Sequence, residues 1–128
     1  MNIESIREYC LSLPYATEDM PFGDDVVVFK VFGKIFACIS LADTDYFVLK
    51  CDPDYAVELR ERYPDIEPAY HWNKRHWNQH RLSGRLNNEL LHHLIIHSYS
   101  RIIAGLPRKM VAQHPEVLEI QSDEKRWI

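Results

Sequence analysis

Glycine is scarce in this chain, four residues in 128. None stands in a GxGxxG, GxxxxGK[ST] or GxSxG arrangement, which removes the usual material for a phosphate-cradling loop or a nucleophile elbow. An HExxH helix is missing as well. Cysteine is as thin: Cys10, Cys38 and Cys51 are far apart and form no CxxC pair, which argues against a disulfide framework and against structural zinc. They read as buried thiols acting as small apolar groups. A redox role needs a depressed thiolate pKa, and nothing around them provides a reason for one. No apolar run approaches the roughly 20 residues of a bilayer span. The start MNIESIREYC is acidic and amphipathic, without the basic and apolar regions of a secretory signal. The expectation is a cytoplasmic protein with no membrane segment, no cofactor and no catalytic activity.

One further absence is local. From Pro68 to Asn88 the chain reads PAYHWNKRHWNQHRLSGRLNN, with Lys74, Arg75, Arg81 and Arg85 and not one carboxylate. Residues 1–67 hold 14 Asp or Glu against 6 Lys or Arg, residues 68–114 hold 1 against 7, and residues 115–128 hold 4 against 2. The protein is acidic as a whole, with a formal charge of -4, and its basic charge is gathered in one stretch. Tyr70, His71, Trp72, His76, Trp77 and His80 share that stretch, and cations among flat rings suit a phosphate or nucleic-acid surface.

The remaining composition, 46% apolar and 27% charged, is that of an ordinary globular domain, long enough to bury roughly two thirds of the surface its unfolded form exposes. Residues 1–128 read as one domain with its core at about 3–110 and a tail from 111. A helix is predicted from Ile3 to Leu13, capped by Asn2 and stopped by Pro14, with Ile3, Ile6, Tyr9, Cys10 and Leu13 on one arc. After a loop, PYATEDMPFGDD, strands are expected at Val26–Phe32 and Ile35–Leu41, joined at Gly33 and Lys34, and a third at Tyr46–Cys51. Period-two alternation puts Lys30 and Lys50 on one sheet face. Asp52 before Pro53 opens a second helix ending near Tyr63. Shorter strands at Ile66–Tyr70 and Asn78–Leu82 flank the NKRHW turn. The last helix runs from Asn88 to Ala104, capped by Asn87, with Leu91, Leu94, Ile95, Ser98 and Ile102 inward. Beyond Val111 the expectation is a short helix or partial disorder. The order α-β-β-β-α-β-β-α gives a two-layer α+β sandwich: an antiparallel five-stranded sheet with helices mainly on one face and the other face open.

Five blocks carry a family resemblance: YCLSLPYATEDMPFG, FKVFGKIFA, LKCDP, PAYHWNKRHWN and SYSRIIAGLPRK. In this order, over roughly residues 5 to 110, the chain resembles the MmcQ/YjbR family. The resemblance implies a small α+β domain similar in topology to secretion chaperones, DNA binding through a proposed double-wing arrangement, and no catalytic residue. The chain departs from the pattern in carrying Trp72 where a methionine is common.

Two binding classes follow. In the first, Lys74, Arg75, Arg81 and Arg85, helped by Lys30, Lys34 and Lys50, neutralise DNA phosphates while His71, Asn73 and His76 donate hydrogen bonds and Trp77 or Trp72 stacks on a base. With so acidic a protein the binding is expected to be weak and salt-dependent. Four duplex phosphates would give a slope of about -3.6 in log K against log salt. In the second, the open sheet face or an edge holds a partner protein segment, and the protein is a monomer or homodimer. The structural alternative for the same residues is plain: buried Trp rings, backbone-bonded histidines and a solvated turn tip. Glu89, His93 and His97 fall on one face of the last helix, read as its polar outer face. Glu89 and His97 are about 12 Å apart along the axis, too far to share an ion, so no metal is expected. His92 and His114 have no evident partner. The acid pairs Glu18–Asp19 and Asp24–Asp25 read as caps, turn formers or solvated charge.

Overall fold

The computed structural model describes residues 1–127, with side chains described through Gln121. Helix α1 (Ile3–Ser12) opens on a reciprocal cap: Asn2 Oδ1 accepts the Ser5 N–H at 2.9 Å and Ser5 Oγ accepts the Asn2 N–H at 3.0 Å, which satisfies two otherwise orphaned donors. There follow β1 (Ala16–Asp19), β2 (Val26–Val31), β3 (Lys34–Ser40), β4 (Tyr46–Lys50), α2 (Pro53–Arg62), β5 (Ile66–Pro68), β6 (Trp77–Arg81), α3 (Asn88–Ala104), α4 (Arg108–Gln113) and α5 (Glu116–Trp127). The strands make one sheet in the order β1-β2-β3-β4-β6-β5, every pair antiparallel. The α+β class and antiparallel sheet match the sequence reading, but the sheet has six strands rather than five.

The additional strand is β1, inside the segment expected to be a loop. It is an edge strand of four residues and mostly exposed, so it never shows the alternation that betrays a half-buried strand. Its two acids are exposed, Asp19 Oδ1 accepts the neighbouring Met20 N–H at 2.8 Å, and both are also paired across elements. Glu18 takes a hydrogen bond of 2.7 Å from Arg7 Nε, and Asp19 takes one of 3.0 Å from Lys30. Both carboxyls are held below their ordinary pKa, chiefly by these hydrogen bonds.

One other expectation is corrected, and one left open between two alternatives is resolved. The β2–β3 turn centres on Phe32 and Gly33, whose φ values are 50° and 79°, with Val31 and Lys34 paired on either side. Two positive φ angles match the twist a two-residue hairpin needs, and Phe32 bears the strain while its ring lies 5.2 Å from Tyr15 and 5.1 Å from His114. Of the two alternatives for the segment after Val111 the helix holds: α4 completes itself and α5 follows. Val117 is fully buried in the core, and Tyr15 donates to Glu116 at 2.9 Å.

The helices cover one sheet face. Phe29, Ala37 and Leu49 follow one another across the ladder on that side, with Ile39, Phe47, His80 and Ile66 in the next row. From α3, Ser98 reaches the strands: its Oγ accepts the Lys50 N–H at 3.0 Å and donates to the Phe36 carbonyl. Phe36 is the extra residue of a bulge, unpaired on β2, so the hydroxyl satisfies backbone groups the ladder leaves open. The histidine face of α3 also differs from expectation. His93 and His97 are 4% and 8% exposed, turned toward α2, where His93 Nε2 meets Tyr55 Oη at 3.0 Å and His97 Nε2 accepts the Asp52 N–H at 3.1 Å. His92 stacks on Tyr9 at 4.2 Å and His114 packs on Tyr15 at 4.8 Å, so both have partners that come from distant sequence.

Candidate binding cleft on the open sheet face

Between β5 and β6 the chain makes two successive turns: Trp72 N–H donates to the Ala69 carbonyl at 3.0 Å and His76 N–H to the Asn73 carbonyl at 3.1 Å. Ala69 N–H to the Trp77 carbonyl, 3.1 Å, closes the loop. Asn73 Oδ1 accepts the Arg75 N–H at 3.0 Å, which makes Asn73 a turn former. Helix α2 braces the turn from behind: Arg60 donates to the Lys74 carbonyl at 3.2 Å and to the buried Asn78 Oδ1 at 2.8 Å. No sequence signal marked Arg60, because its partners lie 14 and 18 residues away.

This folding carries residues 70–72 over the sheet face that no helix covers. Beneath them lies a cleft of about 420 Å³. Val26, Cys38 and Val48 give it an apolar floor; Ser40, Asp43, Tyr46 and Gln79 line its sides; Tyr70, His71 and Trp72 wall it from the turn. Burial pushes the Cys38 thiol up to about 11, so at neutral pH it is an uncharged part of the floor. Phe22, from the β1–β2 connection, meets Trp72 edge-on at 6.4 Å, and Trp72 lies 4.6 Å from Trp77. Both tryptophans are half-buried, packed on this face rather than in the core.

The cations divide into two groups. Lys50 Nζ stands 5.9 Å from the Trp77 ring centre and Lys74 Nζ 5.2 Å from that of Tyr70, within the range of cation–π attraction. Arg75 is exposed on the same turn, and among the described residues none of these three makes an ion pair. Arg81 lies four residues farther along β6 than Trp77, about 13 Å away. It too stands over a ring, that of the cleft-lining Tyr46 at 5.3 Å, but its guanidinium is engaged by Tyr46 Oη at 2.9 Å and faces Asp45 at 4.0 Å. Lys30 is on the open face but held by Asp19. Arg85 is fixed through its main-chain N–H to Asp65 Oδ2 at 2.8 Å and lines a separate hollow with Tyr63, Pro64 and Leu86. Of the sequence candidates, then, His71 lines the cleft and Lys50, Lys74 and Trp77 stand around it; Arg75 is exposed on the same turn, and Arg81 lies beside the cleft on Tyr46 with its charge facing Asp45. His76 is half-buried, with its carbonyl accepting the Cys51 N–H at 2.8 Å. The loop Ser83–Arg85 is wrapped between acids of the chain itself: Ser83 donates its N–H and hydroxyl to Asp45, both at 2.8 Å, and Gly84 lies so near Asp65 that a Cβ there would fall on the carboxylate.

These features define a two-layer α+β domain with a helix-covered core and an aromatic cleft on the opposite sheet face. Residues 11–101 match the profile of the YjbR family, and the chain belongs to that family. It is 35% identical over 107 residues to the uncharacterized protein YbdF of Escherichia coli O157:H7, covering 83% of this chain and 88% of YbdF. It is 30% identical over 117 residues to the uncharacterized protein YjbR of Escherichia coli K12, covering 88% and 99%. The crystal structure of Deinococcus radiodurans protein DR2400, with domain DUF419, has 33% identity and a TM-score of 0.80 over 87% of this chain and 86% of that one. A Pseudomonas syringae protein superposes with a TM-score of 0.65 at 29% identity, over 77% and 96%.

Proposed function

We propose that this protein binds single-stranded nucleic acid without catalysis, seating a base in the open-face cleft and meeting the flanking phosphates with Lys50, Lys74 and Arg75. The supporting observation is the split between lining and rim. Aromatic and apolar groups dominate the cleft lining, with Ser40, Asp43 and Gln79 among them and no lysine or arginine, while Lys50 and Lys74, without an ion pair among the described residues, stand on aromatic rings beside it. That division suits a flat base inside and charged backbone outside. A duplex keeps its bases stacked and meets a concave site only at the rim, so it forgoes the stacking. Three single-strand phosphates imply a salt slope of about -2.1. A net charge of -4 keeps the affinity modest.

A second reading rests on the apolar floor together with Phe22 and Tyr70, which are 62% and 56% exposed: a partner protein segment lying on the same face. Its binding would be indifferent to salt and would weaken on replacing Tyr46. The test is tryptophan fluorescence on titration with octathymidylate and with an eight-base-pair duplex at 50 and 200 mM salt. The expected result is tighter binding of the single strand, weakened by salt. Trp72→Ala should reduce it by roughly 1–3 kcal/mol, the worth of one stacked base. Absence of binding at the lower salt contradicts the proposal and leaves the partner-segment reading standing.

A further inference from the structure

The polar groups inside the cleft have partly fixed roles. Gln79 donates its amide to the Glu67 carboxylate at 2.7 Å, and since a carboxylate only accepts, the Gln79 carbonyl oxygen is the end left over. Tyr46 Oη accepts from the Arg81 guanidinium, so its own proton is available to donate. Asp43 Oδ1 accepts the Asp45 N–H at 3.3 Å, and Oδ2 has no partner among the described residues. A carboxylate lining a site whose rim carries cations works against phosphate there. It is matched by a ligand edge presenting N–H groups.

Resting on the single-strand reading above, we infer that the cleft selects guanine, with Asp43 accepting from the N1–H and exocyclic N2–H groups while the ring stacks beside Trp72. Guanine places two donors side by side on one edge, the arrangement a carboxylate can accept from as a pair. Adenine and cytosine each offer one amino donor beside a ring-nitrogen acceptor, which faces the carboxylate unfavourably. Thymine and uracil offer one N–H between two carbonyl oxygens and fit worst. Tyr46 Oη supplies a donor suited to the guanine O6. A well-made two-bond contact discriminates between bases by about tenfold or more.

The same guanine chemistry is available from a strand or from a free nucleotide, and the experiment separates them. Wild type and Asp43→Asn are titrated with octathymidylate, with octamers carrying one central G, A or C in a thymidylate background, and with GMP. Asparagine keeps the oxygen that accepts the Asp45 N–H, so the turn persists. The expected result is central G about tenfold tighter than thymine, A and C between them, and a G-to-T ratio within about twofold in Asp43→Asn. Equal affinity for G and T in the wild type, or an unchanged ratio in Asp43→Asn, overturns guanine selection and leaves single-strand binding intact. Binding of GMP without any octamer supports guanine recognition and overturns the single-strand reading. Binding of none overturns both.

Discussion

The two ends of the acid-free stretch look alike in sequence and do opposite things in the fold. At residues 70–77 the turn stands over the open sheet face, its tryptophans are half-buried, and Lys74 and Arg75 make no ion pair among the described residues. At residues 81–85 acids from elsewhere in the chain reach in: Asp45 takes Ser83 and approaches Arg81, and Asp65 takes the Arg85 N–H. A run of cations therefore does not identify a ligand surface by itself. What matters is where the fold carries each cation and whether the chain's own carboxylates, distant in sequence, already meet it: Asp45 faces Arg81, and Arg85 lines a separate hollow.

Between the two ends, β6 itself carries the largest expected effect. His80 is 2% exposed and stacks on Phe47 at 4.9 Å, and burial lowers its pKa to about 4. Burial, with a smaller contribution from His97, lowers His93 to about 4 as well. A histidine whose folded pKa lies below its unfolded value contributes its full stability above the unfolded value of about 6.5, and loses it as pH falls toward 4. The expected loss is on the order of 3 kcal/mol for His80 over that window. Denaturant unfolding at pH 7.5 and pH 4.5 checks it; a midpoint that does not fall on acidification contradicts the neutral, buried histidine.

Next in size is Gly84→Ala, which forces Asp65 or the loop to move and should destabilise by about 1–3 kcal/mol. The folded variant should bind single strands as wild type does. A thermal midpoint unchanged within a degree would show that the loop is not held against Asp65. Ser98→Ala leaves the Lys50 N–H and the Phe36 carbonyl without their partner, with an expected loss of about 1–3 kcal/mol in urea unfolding. Smallest in stability, and most informative about the comparison, are the exposed cations. Removing Lys74 and Arg75 together should change the unfolding free energy by less than about 0.5 kcal/mol.

Much of the fold was legible because local signals and tertiary structure agree. Asn2, Asp52 with Pro53, and Asn87 start their helices as capping chemistry dictates, and the inward stripe of α3 is buried as its spacing implied. What sequence reasoning missed was set by long-range partners. Strand β1 is short, polar and defined by pairing to β2. His93 and His97 lie among apolar positions only because α2 supplies Tyr55 and the Asp52 N–H. The cleft was half legible: the turn and its rings stand out in composition, whereas its floor and Asp43 come from β2, β3, β4 and a loop some 30 residues earlier.

The measurement that bears most directly on the ligand-facing role of residues 70–77 is the salt dependence of octathymidylate binding for wild type, Lys74→Ala with Arg75→Ala, and Arg81→Ala with Arg85→Ala. The first pair should flatten the slope of log K against log salt from about -2.1 to about -0.7, while the second leaves it near -2.1. A slope that flattens with Arg81 and Arg85, and not with Lys74 and Arg75, would contradict the account.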